Sequence, residues 1–146
     1  MSSSSAPPPI ARPTPTHLIG VGASAGGLAP ILAFVGALPS DLGLALVVVQ
    51  HLAADQPSAL AELIRSHTTW RVQEGAEGIA LQVEHIYVIP PGCEMRVDDG
   101  ARLRVEVAVP TAPAHQIDTL FRSMAQSFGA QAVGVVMSGL GSDGSA

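Results

Sequence analysis

The 146-residue chain is 47% apolar and only 13% charged, enough to bury the core of about one domain. Its formal net charge of −5, with seven scattered basic residues, argues against nucleic acid or an anionic membrane surface as the main partner, since both attract clustered cations. A single cysteine, Cys93, excludes a disulfide framework and a cysteine-based zinc site and points to a reducing compartment, the cytoplasm.

Residues 1–16 hold four consecutive serines and five prolines. They lack the basic and apolar regions of a secretory signal and read as a disordered tail or linker. The domain is expected over residues 17–146. Pro39 and Asp41 interrupt its most apolar region, so no stretch reaches the roughly 18 apolar residues that a membrane span needs, and no direct membrane insertion is expected.

His17 to Val21 reads as a short buried strand. The glycine-rich bend Gly22-Ala23-Ser24-Ala25-Gly26 follows it. Leu28, Ile31, Leu32, Val35 and Leu38 then recur at helical spacing, with Pro30 in the first turn and Pro39 as the stop. Leu44 to Gln50 is apolar on both faces, as a strand covered by helices on each side requires. A helix capped by Asp55 and running to about Ser66 is expected to bury Leu60, Leu63 and Ile64.

Trp70 to Gln73 and His85 to Ile89 read as further strands, the second ended by Pro90-Pro91-Gly92. Met95 to Asp98 and Ala101 to Val107 flank Asp99-Gly100, a dipeptide suited to a type I′ turn, so an antiparallel hairpin insertion is expected. Ile117, Leu120, Phe121, Met124 and Phe128 share one face of a helix that Gly129 closes. Ala132 to Met137 is a last buried strand, running into Ser138-Gly139-Leu140-Gly141-Ser142-Asp143-Gly144.

Alternating strands and helices predict an α/β fold: a doubly wound, mostly parallel, Rossmann-like sheet whose ligands bind outside the carboxyl ends of the strands. Ser24, His51 and Asp143 each fall just past the C-terminal end of a different strand, so they are expected along one edge. Their types are those of a hydrolytic triad, in which an imidazole takes the serine proton and a carboxylate holds the imidazole in the working tautomer. Gly22-Ala23-Ser24-Ala25-Gly26 also fits the G-x-S-x-G elbow, although the order Ser, His, Asp is not that of α/β-hydrolases. Two backbone N–H groups stand open as oxyanion donors, those of Ala25 and Leu140.

Blander readings exist for each residue. Ser24 can serve as a helix cap, His51 as a structural histidine and Asp143 in an Asx-turn, but their joint occurrence favours the triad. Gly20-Val21-Gly22-Ala23-Ser24-Ala25 also fits a loose dinucleotide fingerprint. That reading wants an acidic residue at the end of the next strand, where Gln50-His51 stands. His17, His67 and His85 read as structural or solvated. No metal-ligand spacing occurs, and no cofactor is expected.

Five stretches carry a resemblance to a known family. They are Ile19-Gly20-Val21-Gly22-Ala23-Ser24-Ala25-Gly26-Gly27, Val48-Val49-Gln50-His51-Leu52, Val88-Ile89-Pro90-Pro91-Gly92, Ile117-Asp118-Thr119-Leu120-Phe121-Arg122-Ser123, and Gly134 through Gly144. Together they resemble the catalytic domain of the chemotaxis-type protein-glutamate methylesterases. The resemblance implies a serine hydrolase that cleaves glutamate γ-methyl esters on chemoreceptor-type proteins and releases methanol, with Ser24, His51 and Asp143 as catalytic residues. It also implies deamidation of glutamines in some members, and a substrate-contact role for His115.

Many members carry a receiver domain ahead of this one, whereas here the Ser/Pro tail precedes it. Ala25 replaces a threonine common among chemotaxis members and resembles variants fused to a receptor methyltransferase. The family continues past the position of Ala146, so the C-terminal part of the domain is expected to be missing. A non-catalytic regulatory module of a larger signalling protein is the alternative reading.

Overall fold

A computed structural model describes residues 13–23, 27–50, 59–108 and 115–137. Five parallel strands form the central sheet: β1 (His17–Ala23), β2 (Leu44–Gln50), β3 (Arg71–Glu74), β4 (His85–Val88) and β7 (Ala132–Met137), in the order β3-β4-β2-β1-β7. Helices α1 (Leu28–Gly36) and α2 (Leu60–Arg65) cover one face, while α3 (Gln116–Phe128) and the hairpin β5 (Cys93–Val97) and β6 (Leu103–Val107) cover the other. This is the doubly wound α/β architecture with an antiparallel insertion that the sequence predicts.

Each face has its own core. Val21, Leu46, Val48, Ile86 and Val88 meet Ile31, Val35, Ile64 and Trp70 on the α1/α2 side. Leu18, Val47, Val49 and Tyr87 meet Met95, Leu103, Leu120 and Met124 on the other. Alternate residues of β2 thus enter opposite cores, which is why that strand reads as an unbroken apolar run.

Several expectations are corrected. β1 runs two residues beyond Val21, because Gly22 and Ala23 still pair with Val49 and Gln50 on one side and Val136 and Met137 on the other. Helix α1 stops at Gly36 rather than Leu38, its end tightened by Ala37 N–H to Phe34 O and Leu38 N–H to Val35 O. The second helix has Ala59, not Asp55, at its N-cap, and Asp55 lies outside the described residues. It buries Ala61 beside Leu60 and Ile64, whereas Leu63 is 39% exposed on the flank. β7 is a sheet edge among the described residues, paired with β1 alone, so Val136 is 69% exposed where a buried strand was expected.

The hairpin turn also differs. Neither Asp99 nor Gly100 has the positive φ that type I′ requires; Ala101 does, at 59°. Asp98 Oδ1 accepts the N–H groups of Gly100 (2.9 Å) and Arg102 (3.0 Å), and this local carboxylate bond selects a longer loop. Pro13 to Thr16, expected at the end of the tail, are tied to the body. Val83 N–H donates to Pro13 O at 3.0 Å and Thr16 N–H to Gly43 O at 2.9 Å.

Helix α3 lies on a floor of glycines. A Cβ on Gly22 would fall 2.7 Å from Ile117 Cγ2, one on Gly20 would fall 2.5 Å from Met124 Sδ, and one on Gly134 would fall 2.9 Å from the Phe121 ring. Gly20 and Gly22 are two apart on one face of β1, so both contacts follow from strand period. Ile117 is β-branched and stiff and has little freedom to yield. Gly22→Ala is therefore expected to destabilise the fold by about 1–3 kcal/mol in denaturant unfolding. In an Ile117→Ala background most of that loss should vanish, giving a coupling of about 1 kcal/mol or more in a double-mutant cycle.

Candidate active site

The carboxyl ends of three adjacent strands, β2, β1 and β7, align along one side of the sheet. Ala23, the last residue of β1, is the registered partner of Gln50, the last of β2, and of Met137, the last of β7. With neighbouring parallel strands about 4.8 Å apart, these three ends fall within about 10 Å. The rim lies at the topological switch point, where the chain passes from the β2 side of β1 to the β7 side, the place where open α/β sheets bind ligands.

Gln50 is buried at the tip of β2. Ile117, in the first turn of α3, stands over Gly22, which brings the helix N-terminus to the same rim. His115 is the N-cap of α3 and is exposed; its carbonyl accepts Thr119 N–H at 2.8 Å, while its side chain makes no cap bond. Ser24, Ala25, His51, Leu140 and Asp143 lie outside the described residues. The structure therefore brings together the strand ends that lead to them.

The glycines of the loose dinucleotide fingerprint have another use. Gly20 and Gly22 are strand residues that seat α3. The strand-length spacing of two glycines on one face was a signal for helix approach that the motif reading passed over. The other histidines are held locally. His17 bonds Thr16, His67 bonds Ser66 and Leu63 O, and His85 bonds Val83 O while its ring stacks on Tyr87. Among the described residues no His/Cys/Asp/Glu group could hold a metal, and no helix is long and apolar enough to cross a membrane.

Fold and rim define the class: an open α/β domain with its candidate site at the carboxyl ends of β1, β2 and β7. A family model, CheB methylesterase, matches residues 19–146. The chain belongs to that family. It is 38% identical over 135 residues to a protein-glutamate methylesterase/protein-glutamine glutaminase of Xanthomonas oryzae pv. oryzae, covering 90% of this chain and 37% of that protein. A similarly named protein of Anaeromyxobacter dehalogenans is 36% identical over 143 residues, covering 95% of this chain and 42% of the relative. The chain thus spans well under half the length of these relatives. The crystal structure of the Thermotoga maritima CheB methylesterase catalytic domain superposes with a TM-score of 0.72 at 18% identity, over 82% of this chain and 66% of that one.

Among the described residues, the fold perturbs the ionisation of Cys93 and Tyr87. Burial, with the Glu74 carboxylate adding to it, pushes the Cys93 thiol up, which keeps it protonated and a poor nucleophile. The Tyr87 phenol accepts Gln82 N–H at 2.8 Å and donates to Ala80 O at 3.3 Å. Burial lifts its pKa from 10.0 to about 12. The folded state therefore holds this proton more tightly than the unfolded chain. Its contribution is complete below pH 10 and is lost as pH rises from 10 to about 12. Tyr87 is the one tyrosine of the chain, so the phenolate absorbance of the native protein should titrate near 12. Tyr87→Phe should remove the phenol's share of the loss of stability over that alkaline interval.

Proposed function

We propose that this chain is the hydrolytic core, residues 17–146, of a protein-glutamate methylesterase acting on glutamate γ-methyl esters of chemoreceptor-type proteins in chemotaxis or related signalling. The observation that carries this reading is the register of Ala23 with Gln50 and with Met137. Ser24 is bonded to Ala23 and His51 to Gln50, and Asp143 follows Met137 by six residues. The alcohol and the imidazole thus follow directly on two strand ends that the register sets side by side, and the carboxylate follows the third, which supports reading the three as one site. Membership of the family and the names of the relatives supply the reaction.

In this mechanism Ser24 Oγ attacks the ester carbonyl as the His51 imidazole takes its proton, and Asp143 holds and stabilises the resulting imidazolium. The backbone N–H of Ala25 or Leu140 receives the oxyanion. Collapse breaks the bond to the methoxy group, which leaves as methanol with the imidazolium proton. The glutamyl group then remains esterified to Ser24. Water, deprotonated by His51, attacks this acyl-enzyme, and Ser24 leaves with the proton to free the glutamate. With glutamine as substrate the same steps release ammonia. Every bond change is a proton or acyl transfer, so no cofactor is required.

The lone Cys93 is consistent with work in the cytoplasm, and receiver or methyltransferase domains are the partners proposed within the parent protein. A serine-directed phosphonate should label intact protein stoichiometrically at Ser24. Ser24→Ala should lower methanol release from a methylated receptor by about 10⁴-fold or more. Inertness to the phosphonate together with unchanged turnover in Ser24→Ala would instead favour a non-catalytic regulatory module.

A further inference from the structure

Successive residues of β2 enter opposite cores. Leu44, Leu46 and Val48 pack toward α1 and α2, and strand period places Gln50 next in that row. A polar side chain thus stands where the pattern calls for one more apolar residue. It is only 8% exposed, so it is buried with the row it ends.

A carboxamide offers two N–H donors and an acceptor oxygen, and burying them unpaired costs stability. Among the described residues Gln50 has no hydrogen-bond partner. The helices on its face do not use it, since α1 is entered at Gly27 and α2 at Ala59 without a side-chain cap. No fully enclosed side-chain nitrogen or oxygen among the described residues lacks a partner, so the Gln50 amide still meets solvent. β1 occupies one flank of β2 and the α1/α2 core lies below, which leaves the carboxyl end as the open side.

That opening is the rim of the candidate site. Gln50 is the registered partner of Ala23, whose methyl group takes little space beside it, and Ser24 is the next residue after Ala23. An unpaired buried amide in such a place is a group whose partner arrives from outside the fold.

We propose that the Gln50 carboxamide contacts the substrate and hydrogen-bonds the leaving group on the γ-carbonyl, so that the site admits both a methyl ester and a primary amide. The proposal rests on the methylesterase reading and deepens it by naming a residue that sets specificity. The two substrates share a carbonyl oxygen, for which backbone N–H groups are the proposed donors, and they differ in what leaves. A methoxy oxygen only accepts a hydrogen bond, whereas an amide NH₂ donates. Gln50 meets the first with its N–H and the second with its C=O, because a half-turn about its terminal torsion exchanges the two.

The test compares Gln50→Met, which keeps length but no hydrogen bond, with Gln50→Glu, which at about pH 8.5 is ionised and only accepts. Two peptides, alike except for a glutamate γ-methyl ester or a glutamine, are followed by turnover in the intact protein and by fluorescence anisotropy in a Ser24→Ala background. Gln50→Met is expected to weaken binding of both peptides by about tenfold while its denaturant midpoint stays level or rises, since it completes an apolar row. Gln50→Glu should shift the ester-to-glutamine binding ratio by about tenfold toward glutamine. That pattern supports the contact even if the wild type proves unable to hydrolyse either peptide, in which case only the methylesterase reading fails. An unchanged ratio in Gln50→Glu, or a lowered midpoint with unaltered binding in Gln50→Met, assigns the amide a structural role and overturns the proposal even if the enzyme is active.

Discussion

A helix can lie flush on a sheet only where side chains are missing beneath it, and α3 meets that constraint at Gly20, Gly22 and Gly134. Much of the second face depends on this seat. It lets Ile117, Phe121 and Met124 descend onto β1 and β7 and closes the core around Leu18, Val47, Val49 and Tyr87. It also sets the helix start at the rim, since Ile117 can reach Gly22 only if the first turn stands over the strand tip. The hairpin follows the helix because Ser123 and Ser127 satisfy both backbone groups of Val97.

The two faces of the sheet solve the same problem differently. On the α1/α2 side, branched and aromatic side chains from both layers interlock, and Trp70 closes the cluster with its indole N–H donated to Pro39 O at 3.3 Å. On the α3 side the strand surface near the rim is bare backbone and the helix supplies the bulk. The hairpin adds a charged outer surface, where Glu77 and Asp98 have their carboxyls held below the usual range. For Glu77 the Val105 N–H contributes most, and for Asp98 the Arg102 N–H, with Arg104 reinforcing both.

Much of this fold was legible in the sequence because hydrophobic period distinguishes strand from helix and Leu44 to Gln50 can only be a strand covered on both sides. Less legible were features decided by neighbours. Whether Ala61 or Leu63 turns inward depends on the tilt of α2, and the burial of Ala132 to Met137 depends on whether a further strand lies beside it. The turn at Asp99-Gly100 was misread because the preceding Asp98 side chain, not the dipeptide, chooses the loop. For the candidate site, position after a strand end was enough to nominate Ser24, His51 and Asp143. The registered flanks Ala23, Gln50 and Met137 are what the structure adds. The Gln50 amide, buried and without a partner among the described residues, is another such addition, and no local motif announces it.

The chain owns one indole and one phenol, and the sheet separates them. Trp70 belongs to the cluster beneath α1 and α2, Tyr87 to the one beneath α3. Nature has thereby placed an intrinsic optical reporter in each half of the interior. Melting curves read from the two chromophores coincide if both layers dissolve as a single cooperative unit, and they split if one layer loosens first.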